Sequence, residues 1–331
     1  MASYKQNFLI LSLCLSVFLF IPIRINTIEN DFDKYLAKYN KTYNTTEYKQ
    51  KLEIYRKSLN VIKKYNAVRV DDNISAVYGI TEFTDLIPEA LLSDLLYPKF
   101  SHLNEQKPLI WSSQSNIPIK IDWRKKNVIS DINNQKDCGA CYAFTTIETI
   151  ESMNAIRTGK LERYSVQEMI DCSFVTNGCD GGDSCTLLEW IKANDIKILK
   201  EDDYPLDLVE RDCRIKNISE GIYVKSFKCE NLVNNEEAIL QYLADVGPVI
   251  AAVNAAPWHY YIEGVIRYHC DPGTIYLNHA VQIVGYDMSE RVPYYIVRNS
   301  WGTNFGSDGY LKIVIGQNMC GIANRVVTVA L

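Results

Sequence analysis

Cysteine placement constrains this chain more than any other feature. Of its ten cysteines, Cys14 stands alone near the amino terminus, and the other nine (138, 141, 172, 179, 185, 213, 229, 270 and 320) crowd into the carboxyl-terminal two thirds. Cys14 lies in the apolar run FLILSLCLSVFLFIPI, residues 8–23, which follows Lys5 and precedes Arg24. A basic start and a short apolar run make a secretory signal peptide. The run falls short of the ~20 residues that a spanning helix needs. It lacks an A-x-A cleavage pattern, so an uncleaved anchor is the competing reading. We take residues 1–25 as removed. Nine cysteines then enter an oxidising compartment, and an odd number leaves one thiol outside the bridges. That thiol is either buried or intermolecular, or it is kept for chemistry. About 120 residues before Cys138 must fold without a staple.

The composition, 331 residues with 47% hydrophobic and 23% charged, suits a globular chain with room for two lobes and excludes disorder and collagen. A net charge of -5 and a pI near 5.5, with no basic run interleaved with aromatics, give nucleic acid no footing.

In the cysteine-free part, EYKQKLEIYRKSLNVIKKYN (residues 47–66) puts Leu52, Tyr55, Leu59 and Ile62 on one face of an amphipathic helix. Residues 98–118 carry three prolines and an SSQSN cluster, a linker pattern, so a boundary falls near Ile117. Beyond it the texture changes once more. Residues 141–200 are helical: CYAFTTIETIESMNAI has apolar residues at 143, 144, 147, 150 and 153, SVQEMIDC starts with a capping box of Ser165 and Glu168, and TLLEWIKAND follows. From about 248, PVIAAVNA, LNHAVQIVGYD, PYYIVRNS and GYLKIVI are strand-like. The fold class is therefore α+β, a helical lobe at about 127–222 beside a sheet lobe at about 223–331.

Within QKDCGACYAF, residues 135–144, C-G-A-C fits a redox dithiol, half a zinc site, or a nucleophile next to a structural cysteine. A redox dithiol wants a βαβ context. A zinc site wants further ligands at metal spacing, and none cluster. A nucleophile wants a distant base. LNHAVQIVGYD and VPYYIVRNS are joined by the polar turn MSER, and a hairpin centred near Ser289 sets His279 opposite Asn299 across the ladder. An amide that fixes one ring nitrogen leaves the other for a thiol. His259 and His269 lack such a context and are expected to be ordinary core or surface residues.

These stretches resemble the papain family of cysteine proteases. Cys138 to Tyr142 meet the signature C-G-[SA]-C-[WY], while IPIKIDWRKKNVI, NGCDGG, NHAVQIVGY and NSWGTNFGSDGY extend the likeness over nearly the whole chain. Glu47, Lys51, Tyr55, Ser58, Ile62 and Asn66, with GITEFTD at 79–85, resemble the family's propeptide. The resemblance implies a papain-like two-lobe fold, with a helical left lobe and an antiparallel β-barrel-like right lobe. It also implies a helical inhibitory propeptide at 26–116 and a mature peptidase at 117–331.

Roles follow from the same resemblance. Cys141 would be the nucleophile, His279 the base and then the acid, and Asn299 the orienting amide. Gln135 and the Cys141 N–H would form the oxyanion hole, and Trp301 would shield the histidine–asparagine bond. The implied disulfides are Cys138–Cys179, Cys172–Cys213 and Cys270–Cys320. Cys185 and Cys229 are left over, and we expect a fourth bridge between them.

The pocket for the P2 residue would use Asp183, Ser184, Ala252, Leu277, Ala280 and Arg325. Arg325 there predicts tolerance of an acidic P2 residue unless Asp183 neutralises it. Tyr142 and Phe305 depart from the tryptophans usual in the family. Expected partners are peptide and protein substrates, the chain's own propeptide and cystatin-like inhibitors, with no cofactor or metal and a monomeric state. N-x-[ST] sequons at Asn40, Asn44, Asn73 and Asn217 are candidate glycosylation sites in the secretory pathway, lysosomal or extracellular. A catalytically silent relative that only binds peptides is the alternative.

Overall fold

The computed structural model describes residues 27–68, 73–86, 117–215 and 220–331. The signal run, most of the linker and the sequon asparagine Asn217 lie outside the described residues, whereas Asn40, Asn44 and Asn73 are exposed.

The amino-terminal unit is two helices, α1 (Ile28–Lys38) and α2 (Thr45–Ala67). Asn44 caps α2, accepting from the Thr46 and Glu47 N–H groups while the Glu47 carboxylate reaches back to the Asn44 N–H. That reciprocal box satisfies donors which a helix start leaves bare. The α2 stripe serves two neighbours rather than one. Leu52, Tyr55 and Leu59 pack with Phe32 and Tyr35 of α1, but Ile62 packs on the core of the sheet lobe. A short strand, β1 (Val77–Tyr78), then pairs antiparallel with β5 (Tyr261–Glu263) of that lobe.

The helical lobe holds α3 (Cys141–Thr158), α4 (Val166–Cys172) and α5 (Ser184–Ala193). Helix α3 is buried nearly all round, including Glu148, Glu151 and Ser152. The apolar stripe read from its sequence is one side of a helix covered on every side. Ser165 caps α4 through the Glu168 N–H, but the box is only half made. The Glu168 carboxylate accepts from the Leu199 N–H at 2.8 Å instead of returning to its cap.

The sheet lobe is built on β2 (Lys120–Asp122), β3 (Ser226–Glu230), β4 (Val249–Val253), β6 (Val265–Ile266), β7 (His279–Asp287), β8 (Tyr294–Arg298), β9 (Tyr310–Val314) and β10 (Val326–Ala330), with α6 (Glu236–Asp245) on its flank. Strand order is β3-β10-β4-β7-β8-β9-β6, with β2 added beside β7. Its pairings are antiparallel except for β6 with β9. Two cores result. Trp258, Tyr286, Tyr295 and Ile313 centre the sheet lobe, while Phe144, Ile147, Leu187 and Leu188 centre the helical lobe. Ile250, Val327 and Val329 of the sheet belong to the helical core, so the lobes share a wall.

Four disulfides join Cys138–Cys179, Cys172–Cys213, Cys185–Cys229 and Cys270–Cys320. Among the described cysteines only Cys141 stands outside these bridges. The fourth bridge, expected from the two cysteines left over, joins Cys185 to Cys229.

Candidate active site

Cys141 is the first residue of α3, and its N-cap, Ala140, supplies no side-chain acceptor. The uncapped N–H groups of an 18-residue helix put its positive end beside the thiol. The turn before it is held by a close approach: the Gly139 N–H donates to the Cys179 carbonyl at 2.7 Å. A Cβ at Gly139 would lie 2.7 Å from that oxygen, so glycine between the cysteines is a steric requirement. Cys138 is bonded to Cys179. The C-G-A-C motif is thus one bridging cysteine and one cleft thiol.

His279 opens β7 and is buried. Its Nε2 lies 2.8 Å from Asn299 Oδ1, which also accepts from the Ser300 N–H at 2.9 Å. With that oxygen fixed as acceptor, Nε2 carries the proton and Nδ1 is the ring's other face. The route to this pair differs from the expected one. The ladder pairs Gln282 with Arg298 and Ile283 with Val297, and a bulge shifts the register before Gly285 pairs with Ile296. Continued in line, the ladder would set His279 across from residue 301, two positions beyond Asn299. The side chains therefore meet on the diagonal past the end of the ladder, within reach of long side chains. The hairpin was right, but its register was two residues off at this end, because the turn between Asp287 and Tyr294 is centred beyond Ser289 and the bulge takes back only one residue of that offset.

Burial holds the His279 imidazole down to about 4, against the pull of the Asn299 acceptor and with a further push from the His259 imidazole. Trp301 covers the pair, its ring 5.1 Å from His279. Trp258 stands edge-on to His279 at 6.1 Å, and Phe305 edge-on to Trp301 at 5.1 Å. His259 is drawn into the same group at 5.2 Å from Trp301, with Phe83 of the amino-terminal unit against both. Sequence reasoning missed Trp258, and His259 proved to be more than a bystander. Both lie on the turn Ala256–Tyr260 just before β5, and no spacing in the sequence ties that turn to His279.

Gln135 is buried, with Ser300 Oγ donating to its Oε1 at 2.6 Å and its Nε2 donating to the Cys138 carbonyl at 2.9 Å. Its amide is thereby oriented, with one N–H used within the turn and a second left to its nitrogen. Tyr142 is buried against the NGCDGG loop. Its hydroxyl lies 3.1 Å from both the Gly178 carbonyl and Thr176 Oγ1, so an oxygen-bearing ring has a use at this position.

Cys141 and His279 line one cleft of about 420 Å³, and the six pocket residues Asp183, Ser184, Ala252, Leu277, Ala280 and Arg325 line it with them. Arg325 is not a bare cation there. Its Nη2 donates to Asp183 Oδ1 at 2.7 Å. No cluster of His, Cys, Asp and Glu among the described residues could hold a metal ion.

A thiol at a helix start, in one cleft with an amide-oriented imidazole, and an amino-terminal unit seated on the same lobe together define a cysteine peptidase made with its propeptide. Residues 117–330 match the papain family cysteine protease domain, and residues 32–91 match the cathepsin propeptide inhibitor domain (I29). The chain belongs to the papain family of cysteine proteases. It is 36% identical to human cathepsin O over 275 residues, 82% of this chain and 85% of that protein. The viral cathepsin of Bombyx mori nuclear polyhedrosis virus is 34% identical over 307 residues, 91% of either chain. Among solved structures, digestive procathepsin L2 from Tenebrio molitor larval midgut is similar with a TM-score of 0.77 and 27% identity, over 92% of this chain and 100% of that one. The recombinant stem bromelain precursor is similar with a TM-score of 0.75 and 28% identity, over 92% and 99%.

Proposed function

We propose that this papain-family zymogen hydrolyses peptide bonds through an acyl-enzyme on Cys141, in a secreted or lysosomal setting. The observation that carries the reading is the bond from His279 Nε2 to Asn299 Oδ1 beside a cleft thiol. The Cys141 thiol gives its proton to His279 Nδ1, and the thiolate attacks the scissile carbonyl carbon, forming a C–S bond while the π electrons move to oxygen. That oxyanion accepts from the Cys141 N–H and the Gln135 amide. His279 Nδ1 gives its proton to the amine as the C–N bond breaks. Water then attacks the thioester, His279 takes its proton, and the C–S bond breaks to release the acid.

Deep burial of His279 opposes the imidazolium that this sequence needs, so the thiolate and the helix end must compensate. Removal of the segment before Ile117 releases the mature enzyme. With Arg325 paired to Asp183 and the cleft walled by Ile250, Ala252, Ala280 and Val327, the P2 preference is for an apolar side chain. An epoxide active-site titrant tests the mechanism: one equivalent should attach at Cys141 after acid activation, and none in Cys141→Ser. Full peptidase activity in Cys141→Ser would overturn it.

A further inference from the structure

The Cys185–Cys229 bridge touches a charged side chain. Arg325 Nε donates to Cys185 Sγ at 3.3 Å while its Nη2 holds Asp183 Oδ1 at 2.7 Å. Arg325, Asp183 and Cys185 all line the cleft that holds Cys141. The bridge also ties together the two backbones that carry this ion pair. Cys185 lies two residues after Asp183, which caps α5 through the Thr186 N–H at 2.9 Å. Cys229 pairs across the sheet with Val327, two residues after Arg325. An ion pair this exposed, with side chains 45% and 36% accessible, holds its own geometry only weakly. A covalent tie behind it supplies the order that the charges alone do not.

We propose that Cys185–Cys229 is a positioning element for substrate selection: it keeps Arg325 against the wall and on Asp183, so that the pocket takes apolar rather than acidic P2 side chains. The inference rests on the peptidase reading. Without the bridge, α5 and the β3–β10 edge can part, Nε loses its sulfur acceptor, and the guanidinium becomes available to a carboxylate entering the cleft. Acidic substrates then gain relative to apolar ones, through Arg325 alone.

The test is a double-mutant cycle on the activated enzyme with two fluorogenic dipeptides that differ only in P2 Glu or P2 Leu. The Cys185→Ala/Cys229→Ala variant should raise the Glu:Leu ratio of kcat/KM about fivefold, mostly through the KM for Glu. The same pair of changes made on Arg325→Ala should leave its ratio unchanged. A bridge that serves only stability would lower both substrates alike and would respond the same way in either background, which would overturn the inference. Should the double variant not fold, Arg325→Lys removes the contact with Cys185 while keeping the charge. It should raise the ratio in the same direction, and an unchanged ratio counts against us. A parent enzyme that labels at Cys141 and cleaves P2 Leu keeps the peptidase reading whatever the cycle gives. A parent that cleaves neither substrate overturns both.

Discussion

Thr145 Oγ1 donates to the Ala280 carbonyl at 3.0 Å, both groups buried, one helical turn beyond Cys141 and one residue beyond His279. This bond sets the nucleophile's helix on the histidine's strand, and Gln282 Nε2 extends the seam to Ser152 Oγ at 3.1 Å. Thr145→Val keeps the shape and strands the carbonyl, at a cost of about 1–3 kcal/mol. We expect a lower melting temperature and a roughly tenfold loss of kcat/KM from a displaced thiol–imidazole pair, with Thr145→Ser close to the parent. Unchanged turnover in Thr145→Val would show that the seam does not position the site.

Asp85 is the hub of the amino-terminal unit. Its buried carboxylate accepts from Tyr35 at 2.8 Å, Tyr43 at 2.5 Å and Lys41 at 2.5 Å. Removing one partner of a buried charged network costs roughly 3–5 kcal/mol. Asp85→Ala should therefore loosen the propeptide and leave residues 27–86 the first part of the zymogen cut in limited proteolysis. A parent-like cleavage pattern would sink this account.

Glu168 ties acidity to stability. Burial pushes its carboxyl up to about 7, with only the Leu199 N–H opposing. A carboxyl whose folded value lies above its unfolded one binds its proton more tightly in the fold. Its contribution is complete below about 4.3 and is lost as pH rises towards 7. Glu168→Gln keeps the acceptor for Leu199 and cannot titrate. Thermal melts from pH 4.5 to 7.5 should show the variant gaining on the parent as pH rises, by a few kcal/mol at neutrality. A constant difference across that range would refute the assignment.

Two histidines oppose that trend where the propeptide sits. His269 stacks on Tyr65 at 4.5 Å, and His259 meets Phe83 edge-on at 5.9 Å. Burial lowers both, with Lys64 adding to the effect at His269. The closed state thus prefers neutral rings, and its stability is present above about 6.5 and lost as pH falls. His269→Phe preserves the stacking without the proton. Zymogen conversion at pH 5 should slow severalfold in this variant, because burial no longer opposes a protonated ring there. Conversion as fast as the parent's at every pH would count against the latch.

The sequence alone determined the class, because its decisive signals are local or countable. An odd cysteine tally, C-G-A-C, the NHA and NSW contexts, and the periodicities of α2, β4, β7, β8 and β9 all survive without a third dimension. What only the tertiary structure decided depends on side chains that no spacing brings together. A turn centred beyond Ser289 put the His279–Asn299 contact off the ladder, and the bulge in β7 only partly offset it. The Leu199 N–H took the Glu168 carboxylate away from its own helix cap, because burial rewards whichever donor is nearest in space. Arg325 was legible as a charge in the pocket with Asp183 as its possible partner, but that the two do meet and that a disulfide sulfur also takes the guanidinium could not be read. Those partners lie about 140 residues away, and only packing of the two lobes makes them neighbours.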